Sequence, residues 1–205
     1  MFEKMNLDDF VKQVGSKEPV PGGGSVSALA GSLAAALSNM VASLTVGKKK
    51  YAESEEDMKK VQEDAIILQE DLISDITRDS EAFNRVMEAF KMPKGSDEEK
   101  SQRKEAIQKG SKHASEIPFN VAEKSLKIMD LAKLVVEKGN KNAITDGAVS
   151  AMLARTAGLG ALYNVKINLS SIKDEDYVSK MNSKVSEIEN ALIQKEKEIL
   201  DIVEL

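Results

Sequence analysis

An all-α fold is predicted for this 205-residue chain from three observations. Glycine and proline cluster at a few points, the stretches between them are long runs of helix formers, and no stretch alternates apolar and β-branched residues as a half-buried strand does. The length suits one hydrophobic core, so residues 1–205 read as a single domain, a bundle of long helices.

The elements follow in order. A first helix starts near Asn6, which can cap it while Asp8 and Asp9 complement its dipole, and ends near Gly15. After the loop from Pro19 to Gly24, a second helix is expected from Ser25 to about Gly47, with Ser25 as its cap. Ala28, Ala30, Gly31, Ala34, Ala35 and Ala36 leave this helix slender, so neighbours can approach it closely. No charge occurs between Pro19 and Gly47, a span long enough for a bilayer. Serines at 25, 27, 32, 38 and 43 interrupt it, and Ala and Gly outweigh Leu and Phe, which favours a buried helix over a membrane span.

Beyond Lys48, Lys49 and Lys50 the chain reaches Phe90 without glycine or proline, predicting one helix of unusual length. The next begins at Ser96, which has capping-box spacing to Glu99; Pro118 is expected to kink or interrupt it, and Gly139 with Asn140 to stop it. A second small-residue helix is predicted from about Asp146 to Asn164, packed against the first or against a partner subunit. The last, from about Asp174 to the end, carries Tyr177, Met181, Val185, Ile188, Leu192 and Ile199 on one face.

Composition narrows the function. A net charge of −5 with 4% aromatic residues and no dense basic stretch argues against nucleic acid. Without cysteine, and with one histidine, thiolate chemistry, disulfides and Cys- or His-pair metal sites are excluded. The first ten residues lack the basic-then-apolar order of a signal peptide, so a cytoplasmic location is expected.

The most informative local pattern is Leu72, Ile76, Asp79, Phe83, Val86 and Phe90 at steps of four and three, which puts Asp79 on the buried stripe of the long helix. Asp75, one turn earlier, lies near the same face. Burial and like charge both raise a carboxylate's pKa, making it usable as a general acid or base near neutrality; the competing reading is a buried ion pair. Gly22, Gly23, Gly24 and Ser25 open a helix, where free N–H groups could hold a phosphate or carboxylate, or simply let two backbones meet. The loop is neither a P-loop nor a dinucleotide fingerprint. Lys48 and Lys49 could attract an anion, though such a run at a helix boundary is usually a solvated turn. His113 reads as a surface side chain, Asp146 as a cap, and Asn164 and Asn168 as the end of the fifth helix and just beyond.

Beyond these patterns, the ordered set Pro21-Gly-Gly-Gly-Ser25, Gly47-Lys-Lys-Lys-Tyr51, Asp79-Ser-Glu-Ala-Phe83, Met92-Pro-Lys94, Gly139-Asn140, Thr145-Asp146 and Asn164 to Leu169 resembles the formiminotetrahydrofolate cyclodeaminase family across nearly the whole chain. The resemblance implies an all-helical homodimer, intertwined or closely packed, that closes formiminotetrahydrofolate to methenyltetrahydrofolate with loss of ammonia and uses no metal or redox cofactor. It implies Asp79 as the catalytic carboxylate and assigns Gly22, Gly23, Gly24, Ser25, Asp146, Asn164 and Asn168 to substrate binding. Lys48 and Lys49 become a landing for a polyglutamate tail. Methenyltetrahydrofolate cyclohydrolase is the alternative activity; a non-catalytic folate-binding dimer is more remote, and neither a membrane nor a nucleic acid is an expected partner.

Overall fold

The computed structural model describes residues 2–204, and among them only helices and turns form. The helices are α1 (Leu7–Val14), α2 (Gly23–Ser43), α3 (Glu55–Lys91), α4 (Asp97–Lys138), α5 (Ile144–Leu169) and α6 (Glu175–Asp201), with short 3-10 turns at Phe2–Lys4, Lys49–Ser54 and Lys141–Ala143. At 1.5 Å per residue α3 and α4 are about 55 and 63 Å long, and they form the spine.

The caps foreseen at two starts are present, and a third start, expected near Asp174 with no cap assigned, has one too. The Asn6 side chain accepts from the Asp9 N–H, Ser96 and Glu99 complete a capping box, and Asp174 accepts from the Tyr177 N–H. Two others differ. Helix α2 begins two residues before Ser25, with Gly22 at its cap, because the Ser25 side chain turns into the core. Asp146 lies inside the first turn of α5, after a 3-10 turn that Asn140 caps. Helix α5 also runs past Asn164 to Leu169, so Asn164 and Asn168 sit within its last turns.

The slender helices α2 and α5 pack against each other, antiparallel. Ser38 and Ser150 share a hydroxyl hydrogen bond of 2.8 Å near one end, while near the other a Cβ on Gly23 would stand 3.3 Å from the Asn164 amide nitrogen. Midway, a Cβ on Gly31 would stand 3.2 Å from Leu72 and 3.5 Å from Ala157, so α2 fits between α3 and α5 because its side chains are small. By length and composition α2 passes for a membrane span, but it serves here as a core helix with 56% of its apolar window buried. Helix α6 covers the bundle with Met181, Val185, Ile188, Leu192 and Ile199 buried.

Of the kink or interruption expected at Pro118, the interruption does not occur: α4 continues through it from Asp97 to Lys138. Proline cannot give an N–H to the carbonyl four residues back, here that of Ala114. That oxygen is claimed instead by the Asn168 side-chain N–H at 2.8 Å, reaching over from α5. Replacing Asn168 with Ala should therefore cost about 1–2 kcal/mol in urea unfolding, and much less when Pro118 is also Ala, whose N–H restores the helical bond.

The α3 stripe is also only half as predicted. Leu72 and Ile76 are buried, but Phe83 and Phe90 are 37% and 45% exposed. The stripe passes from the core into the wall of a cleft, and Asp79 stands at the crossing.

Candidate active site

The cleft has a volume of about 290 Å³ and is lined by Pro19, Val20, Gly22, Gly23 and Gly24 from the loop and the start of α2, Asp79, Phe83 and Val86 from α3, Ala114 from α4, and Asn164, Ile167 and Asn168 from α5. Asp79 is half-buried, directly beneath the first turn of α2. A Cβ on Gly24 would come within 2.2 Å of its Oδ1, so glycine is required for α2 to approach the carboxylate. The Ser25 hydroxyl lies 2.9 Å from Asp79 Oδ2.

Burial pushes the Asp79 carboxyl above the ordinary carboxylate range. The Ser25 hydroxyl and backbone N–H favour the charged form but do not offset the burial, and Asp75 adds a small repulsion. The start of α2, read from sequence as an anion site for a ligand, thus faces the chain's own carboxylate.

Ser25 is fully buried and bonded to Asp79, the Ile76 carbonyl and Ser80, so it stands behind the site rather than on its surface. Ser80 was not foreseen; its only signal was its place beside Asp79. Asn164 and Asn168 each spend one amide N–H on a backbone carbonyl, of Gly160 and Ala114 respectively, leaving acceptor oxygens beside the cleft.

Asp75 does not join Asp79. It is 2% exposed and lies 2.8 Å from Arg78 and 2.6 Å from Lys124, with Asp71 contacting both cations, so here the ion-pair reading holds. His113 lines a neighbouring cavity of about 400 Å³ with Arg85 and Lys109, and its ring is 3.6 Å from Glu116.

The remaining predicted residues lie elsewhere. Lys48 and Lys49 are exposed beyond the far end of α2, about 30 Å from the glycines by helix length. Asp146, at the start of the antiparallel α5, is at that same far end. A structural corner forms there. The Tyr51 hydroxyl receives the Lys141 N–H at 3.1 Å, and buried Asn140 receives Asn142 and donates to the Leu44 carbonyl and to Thr45. The Lys141 N–H is also the main reason the Tyr51 hydroxyl is more acidic than usual. Within one chain the predicted set is therefore two groups, one around Asp79 and one around the lysines.

A family profile described as Formiminotransferase-cyclodeaminase matches residues 6–187. A methenyltetrahydrofolate cyclohydrolase of Methylorubrum extorquens is 39% identical over 189 residues, covering 92% of this chain and 89% of that protein. The formimidoyltransferase-cyclodeaminase of Gallus gallus is 36% identical over 182 residues, covering 89% of this chain but 34% of its own length, so the chain spans about a third of that relative. Among solved structures, a formiminotetrahydrofolate cyclodeaminase from Thermotoga maritima superposes with a TM-score of 0.89 at 29% identity, covering 98% of this chain and 97% of that one. With the profile spanning most of the chain and the match extending from sequence to fold, the chain belongs to the formiminotransferase-cyclodeaminase family.

Proposed function

We propose that this chain is a cytoplasmic enzyme that closes formiminotetrahydrofolate to methenyltetrahydrofolate and releases ammonia. The observation that carries the reading is a half-buried carboxylate of raised pKa, Asp79, in a cleft with neutral walls. From the protonated formimino group, the free folate nitrogen attacks the formimino carbon and a new C–N bond forms. Asp79 takes the proton from that nitrogen and passes it to the amino nitrogen, whose bond to carbon then breaks as ammonia leaves. A carboxylate whose pKa is drawn toward neutrality suits both transfers, and once ionised again it offsets the charge of the cationic product. Neither nitrogen nor carbon changes oxidation state, so the proposal assigns no metal or redox cofactor. The amide oxygens of Asn164 and Asn168 are suited to accept N–H groups of the pterin ring, and Phe83 offers it a face.

The second reading, methenyltetrahydrofolate cyclohydrolase, is favoured by the 39% identical relative of similar length that bears that name. There water adds to the methenyl carbon, one proton is lost, and a ring C–N bond opens to a formyl group, with Asp79 again moving the proton. Release of one ammonia per methenyl product from formiminotetrahydrofolate supports the first reading; no ammonia, with enzyme-dependent loss of methenyltetrahydrofolate, supports the second.

We also propose a homodimer. Val26, Leu33 and Met40 of α2 and Leu44 just past its end are exposed beside Val149 and Met152 of α5, and α2 has no charged residue. Two adjacent helices of this length present a face of roughly 30 by 20 Å, approaching the ~800 Å² per partner of a standard interface. With a two-fold axis perpendicular to α2, the copies run antiparallel, and Lys48 and Lys49 of one chain come beside the Asp79 cleft of the other. Light scattering should then give about twice 22.3 kDa. In that dimer, reversing the charge of Lys48 and Lys49 should raise KM several-fold more for polyglutamylated than for monoglutamylated folate; an equal effect on both would sink the tail-binding role.

A further inference from the structure

Behind Asp79 lies a buried hydroxyl pair with more acceptors than it can serve at once. Ser25 Oγ is 2.9 Å from Asp79 Oδ2, 3.0 Å from the Ile76 carbonyl and 3.1 Å from Ser80 Oγ, and Ser80 Oγ is 3.5 Å from the same carbonyl. Ser25 is fully buried and Ser80 is 2% exposed, so neither hydroxyl exchanges its partners for bulk water. A hydroxyl carries one hydrogen and two acceptor lone pairs. Ser25 can therefore donate to Asp79 or to Ile76, but not to both.

We infer that Ser25 is a positioning residue for the proton-moving carboxylate, a hydroxyl switch that stays fully paired in either protonation state of Asp79. When Asp79 is ionised, Ser25 donates to Oδ2 and Ser80 donates to Ser25 or to the Ile76 carbonyl. When a proton sits on Oδ2, that O–H donates to Ser25, and Ser25 turns its own hydrogen to the Ile76 carbonyl. When the proton sits on Oδ1, the bond from Ser25 to Oδ2 stays in place. In each case the only covalent change is an N–H bond exchanged for the Asp79 O–H bond, or the reverse; Ser25 loses no proton. A buried polar group left unpaired at mid-transfer would add to the barrier, and this arrangement avoids it. The inference rests on the proton transfers proposed above and assigns Ser25 to them rather than to substrate contact.

The surroundings leave Ser25 as the nearest polar control of Asp79. Helix α2 brings no charge, and α5 brings the neutral Asn164 and Asn168. On α3, Asp75 is paired with Arg78 and with Lys124 of α4. From the N-terminal segment, Glu3 meets Thr77, the residue after Ile76 and two before Asp79.

The test is the titration of the Asp79 carboxyl carbon by NMR in the wild type and in Ser25→Ala, beside the pH dependence of kcat. Loss of a donor that favours the charged form should move the Asp79 midpoint up by about one pH unit, and the ionisation limb of kcat by the same amount. KM should stay within about twofold, since Ser25 does not line the cleft. An unmoved midpoint, or a fall in kcat with an unmoved profile and a lower melting temperature, would assign Ser25 to packing alone and overturn the inference. If Ser25→Ala fails to fold, Ser25→Cys, with its weaker donor, should show a smaller upward shift, and no shift would be equally decisive against the switch. A shifted midpoint in a protein that turns over neither folate supports the switch and contradicts the proposed reaction, so the two fail separately.

Discussion

Asp79→Asn is expected to lower kcat by about 10³-fold while leaving KM within a few-fold, the range in which positioned proton transfer and charge stabilisation operate together. The fold should survive. Folding raises the pKa of this carboxyl, so the native state holds its proton more tightly than the unfolded chain does. The stability tied to that shift is present at low pH and lost as pH rises through the folded value; at neutral pH the buried charge is a burden. The neutral amide removes it, and Asp79→Asn should melt at the same temperature as the wild type or higher. Initial rates with a thermal melt on the same sample check both halves. Undiminished turnover would take Asp79 out of the mechanism, and a collapse in stability would make it a structural group.

Gly24→Ala should be nearly as damaging by a different route. The new methyl would lie 2.2 Å from Asp79 Oδ1 and 2.6 Å from its carboxyl carbon, while α2 is held against α3 and α5 along its length and cannot retreat cheaply. The carboxylate must move, and displacement of a reacting group by about an ångström costs about 10²-fold in rate. Overpacking should also cost about 1–3 kcal/mol of stability, well above the small gain from replacing a helical glycine. The cause is open to a direct check, because Asp79→Ala removes the clashing atoms. In that background Gly24→Ala should cost under about 0.5 kcal/mol in urea unfolding, whereas a cost undiminished there would locate the strain in the backbone.

Much of the fold was legible because it depends on local chemistry. Asn6, Ser96 with Glu99, and Asp174 act on the backbone three residues ahead, and a sequence displays that spacing directly. The slenderness of α2 and α5 likewise foretold that they would pack closely. What could not be read depends on partners distant in the chain. Proline at 118 signals a break unless Asn168, 50 positions later by numbering, is known to take the freed carbonyl. Ser25 has the spacing of a cap, yet Asp79 and Ile76, over 50 residues on, offer buried acceptors that a cap position would forgo. The periodic stripe on α3 located Asp79 but could not show where core gives way to cleft. The same holds for Lys48 and Lys49: they follow α2 closely in sequence, but the full length of that helix separates them from the glycine loop.

In the proposed reaction one carboxylate of raised pKa, Asp79, moves a proton across a tetrahedral folate carbon. The most direct measurement is the absorbance of methenyltetrahydrofolate in paired assays of one preparation, the first supplied with formiminotetrahydrofolate and the second with methenyltetrahydrofolate, each run beside Asp79→Asn. The signal should grow in the first assay and be nearly abolished by the substitution; silence in both assays, or turnover that Asp79→Asn leaves intact, would contradict a proton-moving role for Asp79.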